Sequence, residues 1–346
     1  NGMNKTDSGI TPNRLYIADT GISNSILTTI KGSLSGIDPL YTESGSSITV
    51  ADNICFETAS GTTYTLDGNI TTQGIDAHQT FGGSLANFGG DRTLISGGDI
   101  TFNDAVNGGI NTLTLLSGGA ISQGSSGAIT ADKLSITSAG SADLSLASNF
   151  VNTLAANVSG SLFFKNNKSL EIGTVSSLNG ISASGKVMID ASEMDTADIT
   201  LSKPVTTTYA GDAQGTAIVL AAGGNFLNNT TQGNLTLTTD VGGRWLVYSK
   251  DPTTDKFGDA GDTNVLQSGK DAVWGQSYAS LPPASVSEGN RYIFTNPKSL
   301  IITTLNYSKT YGQDAAEAIN TAGTGYTISS NINTNHGGAF NDVPGS

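Results

Sequence analysis

Four aspartates near residue 255 have side chains that could bind a cation together. They lie three or four residues apart in one short segment: Asp251, Asp255, Asp259 and Asp262. Calcium prefers carboxylate and carbonyl oxygens as ligands, but this spacing matches neither the EF-hand loop nor the glycine-rich calcium repeat. We interpret the segment as a solvated turn, with a weak calcium site as the alternative. A second acidic group has the same interpretation: Asp190, Glu193, Asp195 and Asp198.

Two histidines and one cysteine are the candidates for acid–base or nucleophilic chemistry. His78 and His336 are accompanied by no Gly-x-Ser-x-Gly elbow in a strand–turn–helix context, so we expect both to be surface residues. Cys55 alternates with apolar neighbours, as a small core residue does. These residues therefore predict no catalytic centre and no cofactor.

An enzyme acting on acidic polysaccharides would need a cluster of carboxylates on one face. Such chemistry depends on paired acids held at a set distance, here on neighbouring structural repeats. The positions that alternate with apolar residues are mostly Thr, Ser and Asn. We therefore predict that the chain is not an enzyme, and a polysaccharide-active protein is the alternative.

Charge and composition restrict the classes of partner. The 346-residue chain has 16 Lys and Arg against 29 Asp and Glu, a net charge of -13, which disfavours nucleic acid and anionic membrane surfaces. No apolar stretch reaches the roughly 20 residues of a membrane-spanning helix, so no membrane insertion is expected. The single cysteine permits neither an intrachain disulfide nor a Cys-based zinc site, which fits bacterial chains exported unfolded. Because the first residues contain no signal peptide, we interpret the chain as an internal piece of a longer one.

A repeat of about 20 residues, within the range of solenoid repeats, is the strongest pattern in the sequence. Short alternating segments such as Leu113–Leu115 end in a pair of small residues that includes glycine. The last glycine of each copy lies at 98, 119, 140, 160, 185, 224 and 243. The steps between these glycines are 21, 21, 20, 25, 39 and 19, and we interpret the step of 39 as two coils.

This pattern predicts a parallel β-helix with one coil per repeat. Alternation of apolar and small polar residues is typical of half-buried strands, and glycine permits the sharp bend between strands. Strands this short bury a face only when successive coils stack. We expect about ten coils between residues 40 and 250, which at roughly 4.8 Å per coil make a rod on the order of 50 Å long. An antiparallel sandwich is the alternative fold.

Composition divides the chain into four parts. We predict irregular N-terminal strands or first coils at 1–45, β-helix repeats at 46–250, a capping module rich in aromatic residues and Pro at 251–299, and the start of a further small β module with a flexible tail at 300–346. Five aromatic residues are expected to cap the open end of the solenoid, and a carbohydrate or protein contact surface is the alternative for them: Trp245, Tyr248, Trp274, Tyr278 and Tyr292.

Several segments resemble a known family. The most specific lie within 217–294: AIVLAAGGNF at 217–226, GGRWLVYS at 242–249, LPPA at 281–284 and GNRYIF at 289–294. Others are GAITADKLS at 127–135, LAANVSG at 154–160 and YSKTYG at 307–312. Over about residues 60–312 the chain is similar to the C-terminal part of the β-helical region of filamentous-haemagglutinin-like large exoproteins, the secreted members of two-partner secretion systems.

The resemblance implies a right-handed parallel β-helix that is exported through an outer-membrane transporter and displayed on the bacterial cell surface or released as an adhesin. The family's N-terminal secretion domain, with its Asn-Pro-Asn-Gly type motif, is absent from this sequence. We expect a structural and adhesive segment, a rigid stalk for attachment to a host or surface glycan or protein. A self-assembling extracellular filament is a further alternative.

Overall fold

The fold is built almost entirely from short strands. The computed structural model describes residues 15–16, 28–32, 40–41, 47–50, 54–58, 63–66, 68–86, 88–258, 264–304, 311–312, 326–330 and 338–341. Within these residues the chain forms 32 strands and two single-turn 3-10 helices, Gly233–Leu235 and Pro283–Ser285. Among the described residues, no helix has the length and apolar character that crossing a membrane would require.

The first half of the chain contributes β1 (Leu15–Tyr16), β2 (Thr28–Gly32), β3 (Leu40–Tyr41), β4 (Ser47–Val50), β5 (Ile54–Thr58), β6 (Thr63–Thr65), β7 (Asn69–Thr72), β8 (Gln79–Phe81), β9 (Ser84–Ala86), β10 (Arg92–Ser96), β11 (Ile100–Phe102), β12 (Val106–Asn107), β13 (Thr112–Ser117), β14 (Ile121–Gln123), β15 (Ile129–Ser138), β16 (Ala142–Val158) and β17 (Leu162–Asn166). The second half contributes β18 (Leu170–Ile172), β19 (Thr174–Val175), β20 (Leu178–Asn179), β21 (Ile181–Ala183), β22 (Val187–Ala191), β23 (Ile199–Leu201), β24 (Val205–Thr207), β25 (Thr216–Ala222), β26 (Phe226–Asn228), β27 (Leu237–Thr238), β28 (Arg244–Ser249), β29 (Val273–Trp274), β30 (Arg291–Phe294), β31 (Leu300–Thr304) and β32 (Tyr326–Ser330).

These strands wind into a parallel β-solenoid of about 10 turns with about 23 residues per turn. Each coil supplies strands to three faces, and strands of one face pair in parallel with the coils before and after. Face 1 contains β2, β5, β8, β11, β14, the start of β16, β17, β22, β25, β28 and β30. Face 2 contains β6, β9, β12, the start of β15, the middle of β16, β18, β23 and β26. Face 3 contains β4, β7, β10, β13, the ends of β15 and β16, β21, β24 and β27.

Inward side chains form columns along the solenoid axis. Leu113, Leu134 and Leu154 are in register on successive coils and fully buried. Phe81 and Phe102 stack on face 1 with ring centroids 5.3 Å apart. The predicted parallel β-helix is thus confirmed, and the antiparallel sandwich is wrong because the strands of all three faces pair in parallel; the right-handed sense implied by the resemblance stays a prediction.

The later coils are longer than the predicted step of about 20 residues. On face 1 the positions in register on successive coils are 54, 79, 100, 121, 142, 162, 187, 218 and 245. The step is therefore 20 or 21 in the middle coils but 25, 31 and 27 in the last ones. Gly185 lies at the corner from face 3 to face 1, whereas Gly224 lies at the corner from face 1 to face 2. The sequence step from Gly185 to Gly224 therefore joined two different corners and does not contain two coils.

Strands on both sides of residues 46–250 also belong to the solenoid. At its start, β2 pairs with β5, and at its end β30 pairs with β28 across an insertion at 250–290. Part of this insertion covers the outside of face 1, where outward positions become apolar at Met188, Val219 and Leu246. As a result β25 and β28 are buried on both sides.

The C-terminal region contains a small antiparallel pair and a segment that closes the solenoid. Strands β31 and β32 pair antiparallel, within the part predicted to start a further β module. Phe340 is 1% exposed and its ring centroid lies 5.5 Å from that of Phe294. The backbone of Ala339 accepts a hydrogen bond of 2.8 Å from Ser268 N–H. Within the part predicted to be a flexible tail, residues 338–341 are therefore held by the buried Phe340 ring and by backbone hydrogen bonds.

Candidate functional site

Of the residues singled out for acid–base or nucleophilic chemistry, His78 is the one whose side chain the structure describes. His78 lies at a corner between face 3 and face 1, where its Nδ1 accepts a hydrogen bond of 2.8 Å from the backbone N–H of Asp99. This hydrogen bond links the His78 side chain to the backbone of the next coil, so His78 has a structural role. Cys55 is in β5, in register with Thr80, and its side chain lies outside the description. His336 lies outside the described residues.

The His78 contact belongs to a series of similar corners. The Asp99 carboxylate accepts a hydrogen bond of 2.6 Å from Ala120 N–H on the next coil. Ser141 and Ser161 each accept a hydrogen bond through the hydroxyl oxygen from the corresponding N–H one coil later. Side-chain acceptors at this corner therefore satisfy backbone donors that no strand partner reaches. Sequence reasoning missed this function of the polar residues that follow Gly98, Gly140 and Gly160.

The four aspartates proposed as a weak calcium site are only partly described. Asp259 and Asp262 lie outside the described residues. Asp251 Oδ1 accepts hydrogen bonds from the N–H and hydroxyl of Thr253, at 2.9 and 2.7 Å, as in a turn. Asp255 accepts a hydrogen bond of 2.8 Å from Phe226 N–H. Desolvation of its carboxyl group raises the pKa of Asp255 to about 8, against the lowering effect of its hydrogen bonds.

The second acidic group is spread over one turn of the solenoid. Asp190 Oδ1 accepts from the N–H and hydroxyl of Ser192, and Asp198 Oδ1 accepts from Asn225 N–H. Glu193 forms an ion pair of 2.5 Å with Lys165, and hydrogen bonds from Lys165 and Ser148 lower the pKa of Glu193. In the described residues no group of three or more His, Cys, Asp or Glu side chains is arranged to hold a metal ion.

The five aromatic residues of the predicted cap separate into two groups. Trp245 and Tyr292 belong to the last core layers, with ring centroids 5.0 Å apart, and Trp274 packs against that core. Tyr248 and Tyr278 instead meet edge to face on the outside of face 1, with centroids 5.4 Å apart. The alternative of an aromatic contact surface is therefore not favoured, since four of the five rings pack on one another.

A groove lies at the corner from face 3 to face 1 near the last coils. Its larger hollow has a volume of about 640 Å³ and is lined by three turns, around Gly215, Gly242 and Gly289. A smaller hollow of about 310 Å³ contains Leu235, Trp245 and Gln267 among its lining residues, and Asn290 lines both hollows. We call the two together the corner groove.

Arg244 is a buried cation on the lining of the corner groove. It is 3% exposed, and it donates hydrogen bonds to Thr216 Oγ1 at 2.9 Å and to three carbonyl oxygens, those of Pro283, Val286 and Ser287. In the described part of the chain no carboxylate lies within 4.0 Å of its guanidinium. Burial lowers the pKa of the Arg244 guanidinium, although arginine keeps its charge in proteins.

Further charges surround Arg244. Glu288 is the acidic residue among those lining the larger hollow. The Lys270 side chain lies against the wall, with Cε 3.1 Å from the point where a β-carbon on Gly289 would be. Arg291 bonds the carbonyl oxygens of Asp271 and Glu288. The wall near Arg244 therefore carries both cations and acids. The sequence signal that could have found the groove is the arginine that begins β28, directly before the apolar residues of that strand.

Comparisons of the chain with protein-family models, with curated proteins and with solved structures find no match.

Proposed function

We propose that the chain is a structural and adhesive segment of a secreted bacterial surface exoprotein, in which the solenoid acts as a rigid stalk. The observation that supports the proposal is the axial pairing of coils, which continues from β2 to β30. Each coil is hydrogen bonded to its two neighbours, so pulling or bending the rod must break many bonds together.

The outer surface is compatible with attachment. Outward positions of face 1 in the regular coils are Thr80, Thr101 and Ser122, in register with one another. Such a neutral hydroxyl surface is well hydrated and offers donors and acceptors to a glycan or protein. Export through an outer-membrane transporter and display at the cell surface belong to the same proposal, which rests on the sequence resemblance.

An attachment assay tests the adhesive part. Beads coated with the full chain are expected to bind host cells or abiotic surfaces more strongly than beads coated with an unrelated acidic protein at equal density. Attachment no better than that of the control protein would contradict the proposal. Glycan depolymerisation by the purified chain that is lost on substituting an aspartate pair would instead support the polysaccharide-active alternative.

Electron microscopy of the purified full chain separates a stalk from a filament subunit. We expect isolated rods, because Phe340 and its neighbours close the C-terminal end of the core. Long unbranched fibres at micromolar concentration would instead favour self-assembly.

A further inference from the structure

We propose that the corner groove binds an acidic oligosaccharide, with the carboxylate of one sugar directed to Arg244 in the larger hollow and the neighbouring sugar in the smaller one. This inference rests on the proposed adhesive function, to which it adds a class of receptor. The binding chemistry itself is independent of how the protein is displayed.

The charge state of Arg244 is the first argument. Four of its five N–H groups donate to Thr216 and to carbonyl oxygens of 283–287, which leaves one Nη2 N–H. A buried guanidinium is costly unless an anion compensates it, and Asp212 and Glu288 attract it only from longer range. A ligand carboxylate at this N–H would supply a charge-assisted hydrogen bond.

The anchoring role of Arg244 does not explain the charge. Its carbonyl contacts hold the segment 283–287 against β25 and β28, and a neutral donor could serve that purpose. Lys270 and Arg291 lie beside the same wall, with Glu288 and Asp271 as the acids next to them. Arg244 is the cation among the residues that line the larger hollow, so it is the group that an anionic ligand would meet there.

The lining of the two hollows favours a saccharide over other anions. The turn at Gly242 is open to a ligand, since a β-carbon there would meet nothing within 4 Å. Gln267 and Asn290, whose Oδ1 accepts from Trp245 N–H, add amide groups to the lining. Leu235 is 65% exposed and offers an apolar surface for the C–H face of a sugar ring. The volumes of about 640 and 310 Å³ lie within the usual range of ligand pockets.

Titration of the full chain tests the proposal. The probes are trigalacturonate and sialyllactose, each compared with its uncharged methyl ester by isothermal titration calorimetry. We expect at least one acid form to bind about tenfold more tightly than its ester, with an affinity that falls as salt is raised from about 20 to 300 mM. If neither acid form binds more tightly than its ester, the proposal is wrong.

Variants that change the charge beside Arg244 test where the ligand binds, and they leave the hydrogen bonds of Arg244 in place. Gln214 is exposed and its side chain has no hydrogen bond among those described, so Q214E adds a negative charge to the wall and should weaken binding about fivefold. E288Q removes the acidic side chain from the lining and should strengthen binding about threefold.

Two remote substitutions serve as matched controls. N107D and D104N make the same changes of charge on an early coil, where each side-chain oxygen keeps its hydrogen bond to a nearby N–H. We expect neither to change the affinity by more than about 1.5-fold. Control variants that shift binding as much as Q214E and E288Q would overturn the assignment to this groove.

The same variants distinguish the two proposals from each other. Beads that attach to cells equally well with wild-type protein and Q214E, while no acidic saccharide binds, would refute the groove and leave the adhesive function standing. Saccharide binding that responds to Q214E and E288Q, without any attachment of coated beads, would refute the adhesive function and leave the groove.

Discussion

His78 Nδ1 accepts a hydrogen bond of 2.8 Å from the backbone N–H of Asp99, the residue 21 positions later at the same corner of the next coil. Gly98 precedes Asp99, and a β-carbon on Gly98 would lie 2.8 Å from that Nδ1 atom. The absence of a side chain at Gly98 therefore leaves the space in which His78 accepts the hydrogen bond from Asp99 N–H. The same relationship joins Gly119 to the Asp99 carboxylate and Gly160 to the Ser141 hydroxyl.

Removing the His78 acceptor should weaken the corner without unfolding the protein. H78A leaves the part-buried N–H of Asp99 without this acceptor, which we expect to lower the free energy of unfolding by about 1 kcal/mol. H78N places Oδ1 near the position of Nδ1 and should recover most of the loss. Urea denaturation measures both variants, and a loss in H78N equal to that in H78A would show that the acceptor does not matter.

The stacked glycines predict a strong dependence on side-chain size. In G118A the new β-carbon would lie 2.2 Å from the carbonyl oxygen of Gly97, so the backbone must shift. We expect a loss of about 1–3 kcal/mol in the free energy of unfolding. G90A is the control, because its β-carbon would meet nothing closer than Arg92 Nη1 at 3.5 Å, and it should stay within about 0.5 kcal/mol of wild type. Equal losses in the two variants would refute the steric explanation.

The buried amide of Asn149 should contribute more to stability than an exposed one in the same strand. Asn149 is fully buried, accepts from Ile129 N–H and donates to the carbonyl oxygens of Leu144 and Lys165 at 2.8–2.9 Å. N149A should cost about 3 kcal/mol, because it leaves these groups unsatisfied. N152A, which removes an exposed contact to Asp132, should cost less than about 0.5 kcal/mol. Similar losses for both, by chemical denaturation, would contradict this reasoning.

The raised pKa of Asp255 predicts that the free energy of unfolding falls as pH rises through neutrality. Its pKa is about 8 in the folded protein and 3.8 as the reference for an exposed aspartate, so between these values the folded state holds one more proton than the unfolded state. Its contribution is fully present below about pH 4 and is lost as pH approaches 8.

The comparison of wild type with D255N tests this sign. Asparagine keeps an acceptor for Phe226 N–H and places its amide beside the Ser249 hydroxyl, which donates to Asp255 in the wild type, but it does not ionise. We expect D255N to be close to wild type at about pH 4.5 and more stable than wild type at about pH 8.5, by thermal denaturation at matched ionic strength. A difference between the two proteins that does not change with pH would show that Asp255 is not protonated in the fold.

Phe340 should stabilise the C-terminal end of the solenoid. Its ring packs against Phe257, Trp274, Tyr292 and Phe294, so F340A should cost about 3–5 kcal/mol in the unit that includes the last coils. Y311A is the control, since Tyr311 is fully exposed, and it should change stability by less than about 0.5 kcal/mol. Limited proteolysis should cleave F340A near residues 264–274 before any early coil, and equal protection of the two variants would contradict the anchor.

The early coils could be predicted in detail because their pattern is local. The repeat glycines from Gly98 to Gly160 follow one another at steps of 20 or 21, and the strands beside them pair in register. The later coils could not, because Asp198 and Gly224 repeat the acceptor-and-glycine device at a different corner, with a β-carbon on Gly224 lying 2.4 Å from Asp198 Oδ1. An acceptor residue and a glycine in the sequence therefore do not indicate at which corner of the coil they lie.

The candidate site was less predictable than the fold. The sequence singled out aspartates and histidines, whereas the groove is formed by Arg244, Asn290 and glycine turns from three separate segments. Arg244 lies 39–43 residues from the carbonyl oxygens that it bonds. Such contacts depend on how the insertion before β30 folds back onto the solenoid. The repeat pattern of the sequence contains no information about that insertion.

By itself, the sequence determined that this protein is a parallel β-solenoid, because alternating apolar residues and regularly spaced glycines leave stacked coils as the way to bury short strands. Only the tertiary structure decided which corner each glycine occupies, which aromatic rings lie inside, and that Phe340 returns to close the core. Local patterns fix the conformation of a coil, but the closure of the last coils depends on contacts between residues far apart in the chain.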